Sequence, residues 1–159
     1  MFDHPQVQVF NEALATVRRL TAESTPYYHY YFPPTWGRVL KRMLGFEAKP
    51  DFGRYVAELK PLGDQAKLAV EAAVRAKDEM AMDPTFQAWP IEVRQVALLC
   101  FQQVYFEGCA LTLFAAHVRY MVAHDSTMSV QCFLGMQDMQ RKAGDNAKHF
   151  RELDRHLPS

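Results

Sequence analysis

The stretch QVALLCFQQVYFEGCALTLFAAHV, residues 95–118, decides how the rest of the chain is read. Its single charged side chain is Glu107, flanked at a distance by Arg94 and Arg119. At helical spacing Cys100, Gln103, Ala110, Leu111 and Phe114 share its side, which predicts a carboxylate pointing into an apolar interior. An unpaired carboxylate there costs on the order of several kcal/mol, so it must be protonated, hydrogen-bonded, ion-paired or bound to a metal. The residues leave these four open. Hydrogen bonding to Gln103, a hydroxyl, a histidine or a partner chain is the working expectation.

Outward from this stretch, Trp89-Pro90 opens the helix, Glu92 suits its positive end, and Gly108 is the only weak point before His124. That predicts roughly 34 residues spanning about 50 Å. The length invites a membrane-spanning reading, but Gln102, Gln103, Glu107 and Thr112 interrupt it and the whole-chain mean hydropathy is −0.23. A buried helix is expected, with no membrane partner. Asp125-Ser126-Thr127 then makes a short turn into a last helix running to about His156, apolar in its first half and charged in its second. Two long helices so joined pack antiparallel.

Upstream, Asp64 to Met82 shows Leu68, Ala72 and Ala76 as an apolar stripe, closed by Asp83-Pro84. A first helix starts at Pro5, after Asp3 as candidate cap, and carries Val7, Phe10, Leu14, Val17 and Thr21 to about Glu23. Residues 24–36, STPYYHYYFPPTW, are too rich in proline for a helix and are expected to form an aromatic arm. Tyr27, Tyr28, Tyr30, Tyr31, Phe32 and Trp36 on that arm either cover the chain's own core or anchor a partner. A short helix at 35–44 ends at Gly45, and a segment from Pro50-Asp51 breaks near Pro61. No alternating β-branched run occurs, so the chain is expected to be an all-α helical bundle forming one domain, 1–159. Residues 1–60 supply the arm and short helices, and 61–159 the bundle core.

With 159 residues, 49% of them hydrophobic, one domain can bury a sizeable core. Lys plus Arg equals Asp plus Glu at 18 each, so no global field favours nucleic acid or an anionic membrane. The first residues, MFDHPQVQVFNEALATV, lack a basic segment followed by an apolar one, which fits a cytoplasmic protein. Cys100, Cys109 and Cys132 lack zinc spacing and read as reduced core thiols. His117 and His124 are seven apart, as are His149 and His156, about 10.5 Å in rise and too far to share one ion. Neither His-x-x-x-His nor Glu-x-x-His occurs, and there is no phosphate loop, nucleophile elbow or Cys-x-x-Cys. Asp138 with Arg141 and Lys142, and Asp145 with Lys148, are spaced as surface ion pairs.

The segment from Trp89 to Leu153, about two-fifths of the chain, resembles the hydroxylase subunits of bacterial multicomponent monooxygenases, the soluble methane, phenol, toluene and alkene group. The resemblance lies in WPIEV at the helix start, FEGCALTLFAAH around Glu107, DSTMS at the turn and FLGMQDMQRKAGD in the last helix. In the family's iron-binding α subunits a Glu on the first helix joins an Asp-Glu-x-x-His segment on the next. Glu107 matches the first ligand and Asp138 the leading Asp, while Met139 stands at the metal Glu position and Lys142 at the metal His position. A thioether suits a hard iron centre poorly and an ammonium repels a cation.

The resemblance therefore implies a ferritin-like bundle of the iron-free β type, a non-catalytic subunit that would brace a di-iron α partner. No metal or cofactor is expected in this chain, and no catalytic residue. Family chains carry two related helical halves, of which only the first has a counterpart here, implying a short relative, a fragment or a protomer completed by a second copy of itself. Two other readings stand beside this one. The chain could be a self-sufficient metalloenzyme in which Glu12, Glu71 or Glu79, or ligands from a second chain, join Glu107, or a stand-alone helical interaction or small-apolar-ligand protein.

Overall fold

The computed structural model describes residues 4–31 and 51–154. They form α1 (Pro5–Tyr31), α2 (Phe52–Met82), the single-turn α3 (Pro84–Gln87), α4 (Ile91–Val122) and α5 (Ser126–Asp154), with no strand among them. The fold is an all-α, multi-helix bundle. The proposed helix at 35–44, the Asp3 cap, Phe32, Trp36 and His156 lie outside the described residues.

Along α1 the buried positions are Val7, Phe10, Ala13, Val17, Leu20 and Ser24, a stripe at three- and four-residue steps. The helix does not stop at Glu23 but continues through Pro26 to Tyr31, so residues 24–31 are helix rather than arm. A proline inside a helix costs about 3 kcal/mol, and tertiary contacts just beyond it supply the offset. Tyr28 stacks on Phe114 with centroids 4.0 Å apart, and the Tyr27 hydroxyl donates to Glu58 at 2.5 Å.

The same override operates in α2, where Asp51 caps the helix by accepting from the Arg54 N–H at 3.1 Å and the helix passes through Pro61 without breaking. Its buried side is Leu59, Ala66, Val70, Ala73, Ala76 and Met80. Of the stripe expected from Leu68, Ala72 and Ala76, Ala76 is buried and Ala72 partly so, but Leu68 is 63% exposed and lies off the inner face. Small residues won the inner face because α2 approaches α4 too closely for a leucine: a Cβ on Gly63 would lie 2.7 Å from the Ala115 Cβ.

Asp83 accepts from the Thr85 N–H at 2.8 Å and from its hydroxyl, capping α3, and lies 3.2 Å from His4 Nε2. The His4 ring packs edge-on to Trp89 and Phe86, fastening the start of α1 to the α2–α4 connection. At its far end α4 stops where His124 adopts φ 60°, with the Asp125 N–H donating to the Tyr120 carbonyl and the His124 N–H to that of Met121. This is a Schellman ending built on histidine in place of glycine. Asp125 then caps α5 by accepting from the Met128 N–H at 3.0 Å.

Consecutive long helices alternate in direction: Tyr27 meets Tyr55 across α1 and α2, Gly63 meets Ala115 across α2 and α4, and Gly135 meets Leu113 across α4 and α5. Neither connection from α2 to α5 is a long crossover. α4 is the common core helix on which α1, α2 and α5 all pack, and α1 also packs on α2. By length and composition α4 is apolar enough to cross a membrane, with mean hydropathy 1.4 over its most apolar window. In this fold α1, α2 and α5 pack on it, and 39% of that window is buried. One apolar cluster joins Phe10, Ala73, Met80, Phe86, Ala97 and Val104 from α1 to α4. A second joins Leu20, Leu59, Leu111, Phe114, Val118 and Met136, and α5 contributes its core residue only there.

Gly108 sits where α1, α2 and α4 converge. A Cβ at that position would fall well inside the van der Waals radius of Val70 Cγ2 and 3.4 Å from Val17 Cγ2. Gly144 on α5 has nothing within 4 Å. Gly108→Ala is expected to destabilise the fold by about 1–3 kcal/mol through overpacking. Gly144→Ala should stabilise it by about 0.5–1 kcal/mol by restricting the unfolded chain. Urea unfolding midpoints of the two variants check the pair, and equal shifts would refute the close approach.

Candidate functional site

The Val17–Gly108 contact brings Arg18 beside Glu107. Arg18 Nε lies 3.4 Å from Glu107 Oε2 and its terminal Nη2 3.4 Å from Oε1, while Gln103 Nε2 donates to Oε1 at 2.7 Å. Gln103 Oε1 in turn accepts from Asn146 Nδ2 at 2.7 Å, and that same amide donates to the Leu99 carbonyl at 3.0 Å. Gln103 and Asn146 are both buried. The result is a polar clasp crossing the bundle from α1 through α4 to α5.

Glu107 keeps 22% of its side chain exposed, so it sits at the edge of the core rather than deep within it. Its ion pair with the mostly exposed Arg18 is worth about 0–1 kcal/mol, and the short bond from the buried Gln103 does more to fix it. Of the four fates open to this carboxylate, the structure realises hydrogen bonding and ion pairing together. Gln103 was among the expected partners. Arg18 and Asn146 were not, since their sequence neighbourhoods carry no signal for a contact 89 or 43 residues away.

The residues matched to the family's second motif are dispersed. Met139 packs on the second apolar cluster, but Lys142 and Asp138 pair on the outer surface at 2.7 Å, with Arg141 2.6 Å from the same carboxylate. These bonds hold the Asp138 carboxyl below its ordinary range, that from Lys142 foremost. Glu12 and Glu79 are exposed and Glu71 lies 3.8 Å from Lys67, so none of the three reaches Glu107. Among the described residues no group of three or more His, Cys, Asp or Glu could hold a metal ion. The donors around Glu107, a guanidinium and an amide N–H, compete for the oxygens a cation would need; the residues present do not fit a di-iron centre.

His117 is buried, with Nδ1 2.9 Å from the Ser129 carbonyl and 3.0 Å from its hydroxyl, tying α4 to the first turn of α5. His124 is exposed while His117 is buried, so that pair does not converge; His149 is exposed and its counterpart His156 lies outside the described residues. Burial raises the thiols of Cys100, Cys109 and Cys132, and none forms a disulfide.

Beside the clasp, between α1 and the second half of α5, lies a cavity of about 320 Å³ over the α4 surface. Leu14, Leu99 and Phe150 give it apolar walls, with Arg18, Gln103 and Asn146 of the clasp on one side and Arg151 at the rim. It remains because Ala147 and Phe150 of α5 face Leu14 of α1 without closing on it.

Of the aromatic residues left open between core and interface, two have defined contacts. Tyr28 stacks on Phe114 and burial raises its phenol, and Tyr27 lies against Tyr55 with its hydroxyl on Glu58. That hydrogen bond raises the Tyr27 phenol and lowers the Glu58 carboxyl, which Arg54 also holds at 2.6 Å. Both rings serve the chain's own packing. Tyr30 and Tyr31 continue the helix.

Glu107→Gln is expected to cost under about 1 kcal/mol, because an amide oxygen still accepts from Gln103. Glu107→Ala should cost about 1–3 kcal/mol by leaving that amide and Arg18 without their acceptor. Chemical denaturation compares the two, and equal losses would remove the clasp from the stability of the fold. Tyr28→Ala should lower stability by about 2–4 kcal/mol, unchanged over a wide range of protein concentration, because the lost ring belongs to the protomer's own core. A loss that vanishes on dilution would return Tyr28 to an interface.

Compared with known family models, curated proteins and solved structures, the chain matches none.

Proposed function

We propose that the chain is a non-catalytic helical subunit that works by contact, an iron-free counterpart of the β-type subunit in a di-iron monooxygenase hydroxylase. The observation that carries this reading is the occupation of Glu107 by Arg18 and Gln103. A carboxylate matching a ligand position is neutralised by the protein's own guanidinium, so the scaffold keeps its charge balance without an ion. The family resemblance covers α4 and α5, one antiparallel hairpin, or half of a ferritin-like arrangement. Here α1 and α2 cover the hairpin face that holds Glu107, and the long crossover of ferritin-like bundles is not among the α2–α5 connections.

The face of α4 opposite Glu107 supports association. Ile91, Leu98 and Tyr105 repeat there at seven-residue intervals and are 57%, 40% and 38% exposed. Apolar side chains at that period form a seam suited to another helix. Val130 and Leu134 extend the apolar exposure to α5, at 55% and 57%. A hydroxylase α-type subunit is the proposed partner, with a second copy of this chain as the other occupant of the same seam.

Elemental analysis after anaerobic Fe(II) loading tests the iron-free reading, with far less than about one iron per chain expected. Recovery of about one or more irons per chain, lost on Glu107→Ala, would overturn it.

A further inference from the structure

The charge balance of the cavity wall is uneven. Two guanidiniums line it, those of Arg18 and Arg151, but only Arg18 has a carboxylate, Glu107. Arg151 donates through Nε to the Ala147 carbonyl at 3.2 Å and has no ion pair among the described residues. The Gln103 amide and the Asn146 Nδ2 are engaged with each other, with Glu107 and with the Leu99 carbonyl, and Asn11 adds an exposed, uncharged amide to the wall. Among the described residues the one unneutralised charge at the cavity is therefore positive, at the rim, above walls of leucine and phenylalanine.

From this arrangement we propose that the cavity between α1, α4 and α5 is a binding site for a small amphipathic carboxylate, its head on Arg151 and its apolar body against Leu14, Leu99 and Phe150. Three alternatives fit less well. A neutral hydrocarbon would cover part of Arg151 without compensating its charge, which opposes binding. A nucleotide or sugar phosphate needs a denser set of donors than the Arg151 guanidinium and the Asn11 amide, and its polar body would meet apolar walls. A peptide is too large, since about 320 Å³ lies at the small end of ligand pockets, which run from about 300 to 1,000 Å³. A bidentate guanidinium–carboxylate contact gives direction at the rim, and burial of the tail supplies the rest of the affinity.

The site is independent of partner binding, because it opens on the α1 side of α4, whereas Ile91, Leu98 and Tyr105 face the other way. Its failure would leave the subunit reading untouched.

The full-length protein titrated calorimetrically with sodium octanoate and, separately, octan-1-ol provides the test. Octanoate is expected to bind saturably with Kd below about 1 mM, and octanol about tenfold or more weakly. Arg151→Gln should weaken octanoate about tenfold without changing octanol, while Arg151→Lys recovers part of the loss. Arg151 is exposed, so these variants should fold, and circular dichroism of each verifies it. Cys100 lines the same cavity and reports location: octanoate should slow its alkylation by N-ethylmaleimide and leave Cys109 unaffected, read by peptide mass. No saturable octanoate binding, equal affinity for the alcohol, indifference to Arg151→Gln, or an unprotected Cys100 would each overturn the proposal.

Discussion

The close approach of three helices at Gly108 is the constraint on which the rest of this structure depends. Val17 of α1 and Val70 of α2 both press on the space a side chain would fill there. Because Arg18 follows Val17 and Glu107 precedes Gly108, the contact that packs α1 on α4 also brings the guanidinium to the carboxylate. The ion pair is a consequence of packing, not its cause. An exposed pair worth about 0–1 kcal/mol could not by itself hold two long helices together.

The same approach determines where the bundle is open. With consecutive helices alternating in direction, α1 and α4 run parallel, yet they touch instead of standing apart across a hollow centre. Drawing α1 toward α4 pulls it away from α5, which then rests on α4. Near Met136 the second apolar cluster closes the gap, and Tyr28 reaches across to Gln140. Toward the α5 C-terminus Ala147 and Phe150 face Leu14 of α1 without closing on it, so a cavity remains and Asn146 bridges its floor. Cavity and clasp both lie where α1 and α5 part over α4.

Much of this was legible locally. The start of α4 at Pro90, the turn at Asp125 and the surface pairs of Asp138 depend on neighbours within one helical turn, and the structure reproduces them. The errors share a different cause. Pro26 and Pro61 predict breaks by intrinsic cost alone, but each lies in a helix already held by contacts on both sides, and about 3 kcal/mol of local cost is smaller than what those contacts contribute. Leu68 attracts attention by hydropathy while Gly63, Ala66 and Ala73 do not, although closeness between helices selects small residues over large ones. At the site, Glu107 and Gln103 were visible because they stand one turn apart. Arg18 was invisible because nothing short of the α1–α4 packing places it.

A half-buried carboxylate on a helical scaffold that stays charged can take its counter-charge from a metal cation or from an internal basic group, and the two differ in what else they demand. A metal requires several further ligands converging from neighbouring helices, each of them costly without the ion. A guanidinium requires one residue on one helix and remains satisfied at all times. In this chain α5 faces inward with Cys132, Met136, Ala143 and Asn146, residues that need no ion, while Asp138 with Arg141 and Lys142, and Asp145 with Lys148, pair outside. The Arg18–Glu107 pair and the uncharged inner face of α5 are thus mutually consistent: with the counter-charge supplied from α1, Glu107 demands no ligand from α5, whose inner face serves as apolar core at one end and the wall of a cavity at the other.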